Sequence, residues 1–251
     1  MKPYLSPAEF RVFAHRGSSE AGAPENTIEA FSFALEQGVG YVETDVQASS
    51  DGVAVLFHDA DLSRLTGISK AVNQFTLDDL KAIPLEASSE RIATLEEALK
   101  RFPNARFNLD FKTEDAISPA IEVIQRLSAQ NRVLVSSFSP KRRRTAVNAL
   151  PGVATSADSV TVLKIWAYYR LGMRKRLALL LSELDAIQIP LAAGPIRFDS
   201  KKFIQTVQGF GTEVHFWTVN TVAEASRLKQ LGARGIVTDA SKLVMTWLSK
   251  G

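Results

Sequence analysis

The sequence predicts an α/β fold of the (β/α)8 barrel class, also called a TIM barrel, with a short hairpin and an irregular insertion after the second strand. Two observations support this prediction. Short apolar runs that suit buried strands alternate with longer amphipathic segments over the 251 residues, and such alternation implies a parallel sheet. The number of strand–helix units also suits one barrel of about 250 residues. A doubly wound open sheet is the alternative architecture, although it ordinarily ends at fewer strands.

Short apolar runs define the strands that we expect to form the barrel. The predicted strands are Arg11–His15, Tyr41–Val46, Arg106–Phe111, Arg132–Ser136, Val153–Thr155, Ala186–Ile189, Val214–Thr218 and Gly235–Thr238. After the second of them, Asp51-Gly52 is typical of a hairpin turn, and Val53–Phe57 is apolar enough to fold back as an extra strand. No linker or low-complexity segment divides the chain, so we expect one domain over residues 1–251, with the insertion at about 51–92.

The helices are predicted from amphipathic segments that carry signals at their ends. Asn26 precedes Glu29 by three residues, a capping-box spacing that predicts the start of the first helix, and Gly38 predicts its end. Thr94 and Glu97 have the same spacing and predict another start. The remaining predicted helices are Leu77–Ile83, Pro119–Leu127, Lys141–Leu150, a long helix Val160–Leu184, Ser200–Gly209, Thr221–Leu231 and Lys242–Leu248.

The composition limits the chemistry that the chain can perform. The sequence has no cysteine, which excludes disulfides and thiolate nucleophiles or ligands. Its net charge of +3 and pI of about 9.1 suit an anionic substrate or surface without identifying one. The first residues lack the apolar core of a secretory signal, and no apolar run has membrane-spanning length, so we expect a cytoplasmic protein.

Charged side chains stand where several of the predicted strands end, which is where the active site of such a barrel lies. Glu43 and Asp45 are two residues apart on one strand and therefore share a face. Asp110 and Lys112 have the same spacing at the end of the next barrel strand. Carboxylates that converge at one rim form an oxygen-rich site suited to Mg²⁺ or Ca²⁺. Zinc is disfavoured, because three histidines are too few both to ligate it and to transfer protons.

The order of several short motifs identifies a family. The motifs are His15-Arg16-Gly17, Pro24-Glu25-Asn26-Thr27, Glu43-Thr44-Asp45, Asp51-Gly52, His58-Asp59 with Leu62, Arg64 and Thr66-Gly67, Asp110-Phe111-Lys112, Ser136-Ser137-Phe138, Trp217-Thr218-Val219-Asn220 and Gly235–Asp239. In this order and spacing the chain resembles the glycerophosphodiester phosphodiesterase family over nearly its whole length. The resemblance implies a TIM-barrel hydrolase that splits glycerophosphodiesters into glycerol 3-phosphate and an alcohol with the help of a divalent cation.

The resemblance also implies roles for individual residues. His15 and His58 would be the general acid–base pair. The metal ligands would be Glu43, Asp45 and Asp110, and the phosphate-binding residues would be Arg16 and Lys112. Glu25 would lie beside the site, either behind the ligands or at the metal. Asp110 departs from the family pattern, in which glutamate is usual, and its shorter side chain leaves open whether it reaches the metal directly or through water.

The same resemblance suggests the course of the reaction. One histidine takes a proton from the attacking hydroxyl and the other gives one to the leaving alkoxide. Family precedent favours attack by a glycerol hydroxyl of the substrate, giving a cyclic phosphate that water opens, and direct attack by water is the alternative. Trp217 would line the pocket and pack against the glycerol or the headgroup. His215, two residues earlier on the same strand, is predicted to be buried and hydrogen-bonded without a catalytic role.

Two other functions remain compatible with the sequence. One is a lysophospholipase D-like enzyme acting at a membrane surface, since residues 160–176 mix basic and aromatic side chains that suit transient contact with lipid; a barrel-surface helix with snorkelling cations is the other interpretation of that segment. The second is a non-catalytic protein that binds phosphate ligands or nucleic acid. Nucleic acid is not the expected partner, because the basic residues are scattered over several helices, and we interpret the run Lys141–Arg144 as a solvated face. The oligomeric state is not predicted.

Overall fold

The computed structural model describes residues 2–86 and 88–250. Residues 1, 87 and 251, which the predicted domain span includes, lie outside that part of the chain. The strands are Arg11–His15 (β1), Tyr41–Ala48 (β2), Ala54–Leu56 (β3), Arg106–Phe111 (β4), Val133–Ser136 (β5), Ala154–Thr155 (β6), Ala186–Pro190 (β7), Ala192–Ala193 (β8), Ile196–Arg197 (β9), Glu213–Trp217 (β10) and Gly235–Thr238 (β11).

Helices follow nearly every barrel strand and cover the outside of the sheet. They are Ile28–Glu36 (α1), Ser63–Thr66 (α2), Leu77–Ala82 (α3), Leu95–Arg101 (α4), Ile117–Arg126 (α5), Pro140–Ala149 (α6), Ser159–Arg170 (α7), Arg174–Leu181 (α8), Lys201–Gln208 (α9), Val222–Leu231 (α10) and Ser241–Leu248 (α11). Within the described residues, none of these helices combines the length and the apolar character needed to cross a bilayer.

The barrel strands form one parallel sheet in the order β6-β5-β4-β2-β1-β11-β10-β7. A single parallel bridge from Ser156, just after β6, to Ala186 of β7 brings the two ends of this order together. The predicted eight-stranded barrel is therefore confirmed. The predicted strand after the Asp51-Gly52 turn is β3, which pairs antiparallel with β2. The small β8–β9 hairpin was not predicted.

Two helix predictions are wrong in instructive ways. The cap of α1 is Thr27, whose hydroxyl accepts a hydrogen bond from the Ala30 amide, and Asn26 instead has a left-handed backbone with φ of 59°. The long helix predicted over Val160–Leu184 is two helices, α7 and α8. They are separated by a turn in which Gly172 has φ of 66°, a conformation that glycine adopts without strain.

The amino-terminal end of the barrel is closed by a buried polar cluster. The Arg11 guanidinium forms an ion pair with Glu213 at 3.0 Å, and the His215 Nε2 atom lies 2.9 Å from the other Glu213 oxygen. Tyr4, in the short 3-10 helix Pro3–Leu5, is fully buried beside this cluster. His215 is also fully buried, which confirms its predicted burial and hydrogen bonding, and burial lowers its pKa.

The insertion after β2 has a small apolar core of its own. Val55, Phe57, Leu62 and Leu80 are all buried in it. This core anchors the loop that carries His58 against the barrel, so the insertion fixes the position of that histidine.

Candidate active site

The candidate site is a pocket of about 510 Å³ at the carboxyl ends of the barrel strands. The predicted residues that line it are His15, Arg16, Glu43, Asp45, His58, Asp110, Lys112 and Trp217. Their convergence follows from topology, because the carboxyl ends of parallel barrel strands all meet at one face. Glu25 does not line the pocket; it lies behind Arg16, with its carboxylate 3.0 Å from the Arg16 guanidinium.

A tight turn at the end of β1 directs His15 and Arg16 into the pocket. Arg16 has a left-handed backbone with φ of 51°, and Gly17 follows with φ of 99°. A Cβ atom on Gly17 would lie 2.6 Å from the Cβ of Ala30, so only glycine allows α1 to pack this closely against the turn. Local geometry thus requires the glycine of the His-Arg-Gly motif, and the histidine and arginine supply the polar side chains of the pocket.

The ring of His15 is oriented by the opposite end of the chain. Its Nδ1 atom donates a hydrogen bond of 2.6 Å to Asp239, directly after β11, and Asp239 also accepts one of 2.8 Å from Asn220. The Nε2 atom is left on the pocket side, 4.0 Å from Glu43. Burial alone lowers the pKa of His15, but the Asp239 hydrogen bond and the Glu43 charge outweigh it and raise that pKa.

His58 has a similar arrangement built from residues of the insertion. Its Nδ1 atom lies 2.7 Å from Asp59, and the second Asp59 oxygen accepts a hydrogen bond of 2.6 Å from Arg64 on α2. Gln47 of β2 donates to the backbone carbonyls of Phe57 and Asp59, at 3.0 and 2.7 Å, and so holds the loop on both sides of His58. Both histidines therefore have Nδ1 engaged and Nε2 available.

The predicted metal ligands lie side by side on β2 and β4. Asp45 and Asp110 are register partners, and Glu43 is two residues before Asp45 on the same face. The Lys112 ammonium lies 2.9 Å from Asp45 and 2.7 Å from Asp110. Asn26 donates a hydrogen bond of 3.0 Å to the other Asp45 oxygen, which explains why Asn26 adopts its left-handed turn instead of capping α1.

The carboxylates have different pKa values because their surroundings differ. Burial and the neighbouring Asp45 charge raise the pKa of Glu43 from an ordinary value of 4.5 to about 7. Burial also raises the pKa of Asp110. For Asp45, burial is outweighed by Lys112 and Arg16, which lower its pKa. Burial lowers the pKa of Lys112, but the charges of Asp45 and Asp110 outweigh this effect and raise it.

Negative charge in this cluster exceeds what the neighbouring cations neutralise, and the donor set suits a hard divalent cation. Glu43 is nearly fully buried, and its carboxylate accepts a hydrogen bond of 3.2 Å from the Arg16 backbone amide, which is a neutral donor. The Asp110 Oδ1 atom is buried without a hydrogen-bond partner among the described residues. In that same part of the chain no three His, Asp or Glu side chains are close enough to form a ready coordination sphere, so the individual ligand roles stay predictions.

Part of the pocket wall is apolar. The residues of this part are Phe138, Val162, Leu163, Ile189, Pro190, Ala193, Phe198 and Trp217. The Trp217 ring lies edge-on to the Phe138 ring, with centroids 6.1 Å apart. Phe138 and Leu163 are more than half exposed, so apolar surface continues from the pocket to its rim.

Asp59, Asp239 and Arg64 stand within the sequence motifs, but the sequence alone assigned them no function. Asp59 and Asp239 each orient a histidine, and Arg64 holds Asp59. A usable signal existed for Asp59, which directly follows His58. The contact between His15 and Asp239 joins residues 224 positions apart and becomes visible only when the first and last barrel strands pair.

Comparison with known proteins agrees with this geometry. The model of the glycerophosphoryl diester phosphodiesterase family matches residues 15–243. A probable glycerophosphodiester phosphodiesterase 2 of Mycobacterium tuberculosis is 36% identical over 93% of this chain and 88% of that protein. A lysophospholipase D of Mus musculus is 26% identical over 96% of this chain and 82% of its own. The structure of an Oleispira antarctica phosphodiesterase in complex with the product sn-glycerol-3-phosphate superposes with a TM-score of 0.79 at 26% identity, covering 95% of this chain and 96% of that one.

Proposed function

This chain belongs to the glycerophosphoryl diester phosphodiesterase family, and we propose that its acid–base pair is His15 and His58. The enzyme hydrolyses glycerophosphodiesters to glycerol 3-phosphate and an alcohol. The observation that supports the proposed mechanism best is that both histidines line one pocket together with two cations and three carboxylates. Each histidine has Nδ1 engaged by an aspartate, so Nε2 is the atom that exchanges protons with substrate.

The cations of this chain hold the phosphoryl group. Arg16 and Lys112 both face the pocket, and electrostatic stabilisation of the charge on the phosphoryl oxygens usually contributes most to lowering the barrier of such reactions. Glu43 and Asp45, joined by Asp110, would hold the divalent cation that the family implies, Mg²⁺ or Ca²⁺. When bound, that ion supplies Lewis-acid polarisation of the phosphoryl group.

Proton transfer at the two Nε2 atoms completes the reaction. One histidine accepts the proton of the attacking hydroxyl, and the other donates a proton to the oxygen of the leaving alcohol. The attacking group is a water molecule, which gives glycerol 3-phosphate directly, or a glycerol hydroxyl of the substrate, which gives a cyclic phosphate that water then opens to glycerol 3-phosphate. A substrate whose glycerol lacks the neighbouring hydroxyl separates the two routes, because it can be cleaved only by direct attack of water.

The proposed mechanism is tested by hydrolysis of a panel of glycerophosphodiesters with and without a chelator, repeated on His15→Ala and His58→Ala. We expect the chelator to stop turnover and each substitution to lower kcat by about 10²–10⁴-fold. Turnover that stops with the chelator but persists in both histidine variants would retain the cation and refute the acid–base assignment.

A second candidate function, a lysophospholipase D-like activity on acylated substrates, is favoured by the apolar part of the pocket wall. Phe138, Leu163 and Trp217 offer an acyl chain a continuous path from the pocket to its rim. We expect Leu163→Asp to lower kcat/KM for an acylated glycerophosphocholine while leaving glycerophosphocholine hydrolysis nearly unchanged. An equal effect on both substrates would count against this candidate.

Membrane contact through residues 160–176 belongs to the same candidate. Several aromatic side chains of this segment pack on the barrel; the Tyr169 ring, for example, lies 5.1 Å from that of Phe203. The exposed cations of this segment are the groups that would meet anionic lipid, namely Lys164, Arg170, Arg174, Lys175 and Arg176. The test is cosedimentation of the protein with anionic vesicles before and after these cations are replaced by neutral residues. An unchanged bound fraction would exclude this contact.

A further inference from the structure

A chain of ion pairs joins His58 to Arg16, the arginine that lines the pocket. From His58 it passes to Asp59 at 2.7 Å, to Arg64 at 2.6 Å, to Glu25 at 2.5 Å and to Arg16 at 3.0 Å. Arg64 is the central member: its Nε atom donates to Asp59, while its two terminal nitrogens donate to the two oxygens of Glu25, at 2.5 and 3.3 Å. It therefore links the insertion after β2 to the loop after β1.

We propose that Arg64 is a positioning residue that sets the His58 ring and the Arg16 guanidinium relative to one another. This inference rests on the proposed roles of His58 and Arg16. The backbone around His58 is already fixed by Gln47, but a fixed backbone leaves the ring free to rotate. Asp59 selects one ring orientation, and Arg64 in turn fixes the carboxylate of Asp59.

Arginine suits this position for a geometric reason. Its planar guanidinium presents several donors in a rigid fork and can hold two carboxylates at once, whereas lysine offers a point charge on a flexible stem. The Glu25 carboxylate accepts hydrogen bonds from both Arg64 and Arg16. A shift of Arg64 is therefore transmitted to the phosphate side through Glu25 and to the proton-transfer side through Asp59.

If Arg64 only stabilised the fold, its loss would lower the melting temperature, and any loss of activity would follow from that. The Arg64 side chain is 48% exposed, and exposed ion pairs contribute little to stability. Loss of Arg64 should therefore leave the melting temperature nearly unchanged while it alters catalysis. Small displacements of positioning groups change rates strongly, by about 100-fold for a displacement of about 1 Å.

The test compares Arg64→Gln, Arg64→Lys and wild type by kcat, KM and melting temperature on one glycerophosphodiester. We expect Arg64→Gln to lower kcat/KM by about 10- to 100-fold, through both a lower kcat and a higher KM. We expect Arg64→Lys to recover only part of the loss. Arg126→Gln is the matched control, because Arg126 forms an exposed ion pair with Glu96 on the outer surface; it should match wild type.

Two further comparisons separate this inference from the mechanism on which it rests. In a His58→Ala background, Arg64→Gln should raise KM through Glu25 and Arg16 without lowering kcat further, because its effect on kcat acts through the missing ring. Wild-type kinetics in Arg64→Gln, alongside the expected lowering of kcat by about 10²–10⁴-fold in His58→Ala, would overturn the inference and leave the mechanism intact. An active His58→Ala would instead refute the mechanism. A loss in Arg64→Gln that only follows a lower melting temperature would also overturn the inference.

Discussion

The buried carboxylate of Glu43 should make the cation-free protein less stable as the pH rises. Its pKa is raised in the folded state from 4.5 to about 7 by burial and by Asp45. A raised folded pKa means that the stability associated with the protonated group is fully present below about pH 4.5 and is lost as the pH increases through about 7. The difference corresponds to about 3 kcal/mol, at ~1.4 kcal/mol per pH unit.

Glu43→Gln removes this ionisation while retaining an oxygen that accepts from the Arg16 amide. With chelator present, we expect the variant to be more stable than wild type by about 3 kcal/mol at pH 8 and by about 1 kcal/mol at pH 5. For a chain of this size, the difference at pH 8 corresponds to a Tm about 6–12 °C higher. We expect hydrolysis to be lost in the same variant, because a carboxylate proposed to hold the cation is absent.

The measurement is thermal and urea unfolding of both proteins with chelator from pH 5 to pH 8, followed by circular dichroism. Glu183→Gln, at an exposed position after α8, is the control and should parallel wild type. Adding Mg²⁺ or Ca²⁺ should stabilise wild type but not Glu43→Gln. Parallel stability curves for wild type and Glu43→Gln, or a variant that is less stable at pH 8, would refute the argument.

Three further substitutions test the geometry around the pocket. Lys112→Gln leaves Asp45 and Asp110 without the cation between them, so KM should rise and the metal-free protein should unfold at lower urea concentration; an unchanged KM would contradict the role given to Lys112. Arg143→Ala strands the buried Asp158 carboxylate, 2.9 Å from Arg143, and should destabilise the fold by about 3–5 kcal/mol in urea titrations. A change within error there would show that Asp158 finds another partner. Gly17→Ala forces a Cβ against Ala30 at positive φ and should cost about 1–3 kcal/mol and lower kcat, since the turn carries His15; wild-type kinetics with full stability would contradict that reasoning.

Prediction from the sequence succeeds where periodicity and position act locally. The predicted bounds of β1, β4 and β11 coincide with those observed, because each is a short segment with apolar residues at its centre that is followed directly by polar residues. Residues at the ends of different strands lie together in the pocket, as the topology predicts. Glu43 and Asp45 of β2 meet Asp110 of β4 there, since the carboxyl ends of parallel barrel strands lie at one face.

The failures have physical causes that lie outside a local window. Asn26 and Thr27 both suit a helix cap, and Asp45, far along the chain, decides between them by binding the Asn26 amide. The interpretation of Lys141–Arg144 as a solvated face is wrong for Arg143, which is buried against Asp158 because α6 packs next to α7. Helix periodicity alone could not reveal the turn at Gly172.

The pairing of the barrel strands is uneven, and this has an evolutionary consequence. The strands that carry His15 and the acids are hydrogen-bonded to neighbouring strands on both sides, whereas β6 and β7 meet, in the described residues, through one bridge at Ser156 and Ala186. The apolar part of the pocket wall, including Leu163 and Pro190, is built from segments next to the junction of β6 and β7. Mutations there can remodel which alcohol the enzyme accepts without loosening the scaffold beneath the reacting groups, so we expect substrate range to diverge among relatives at this border first.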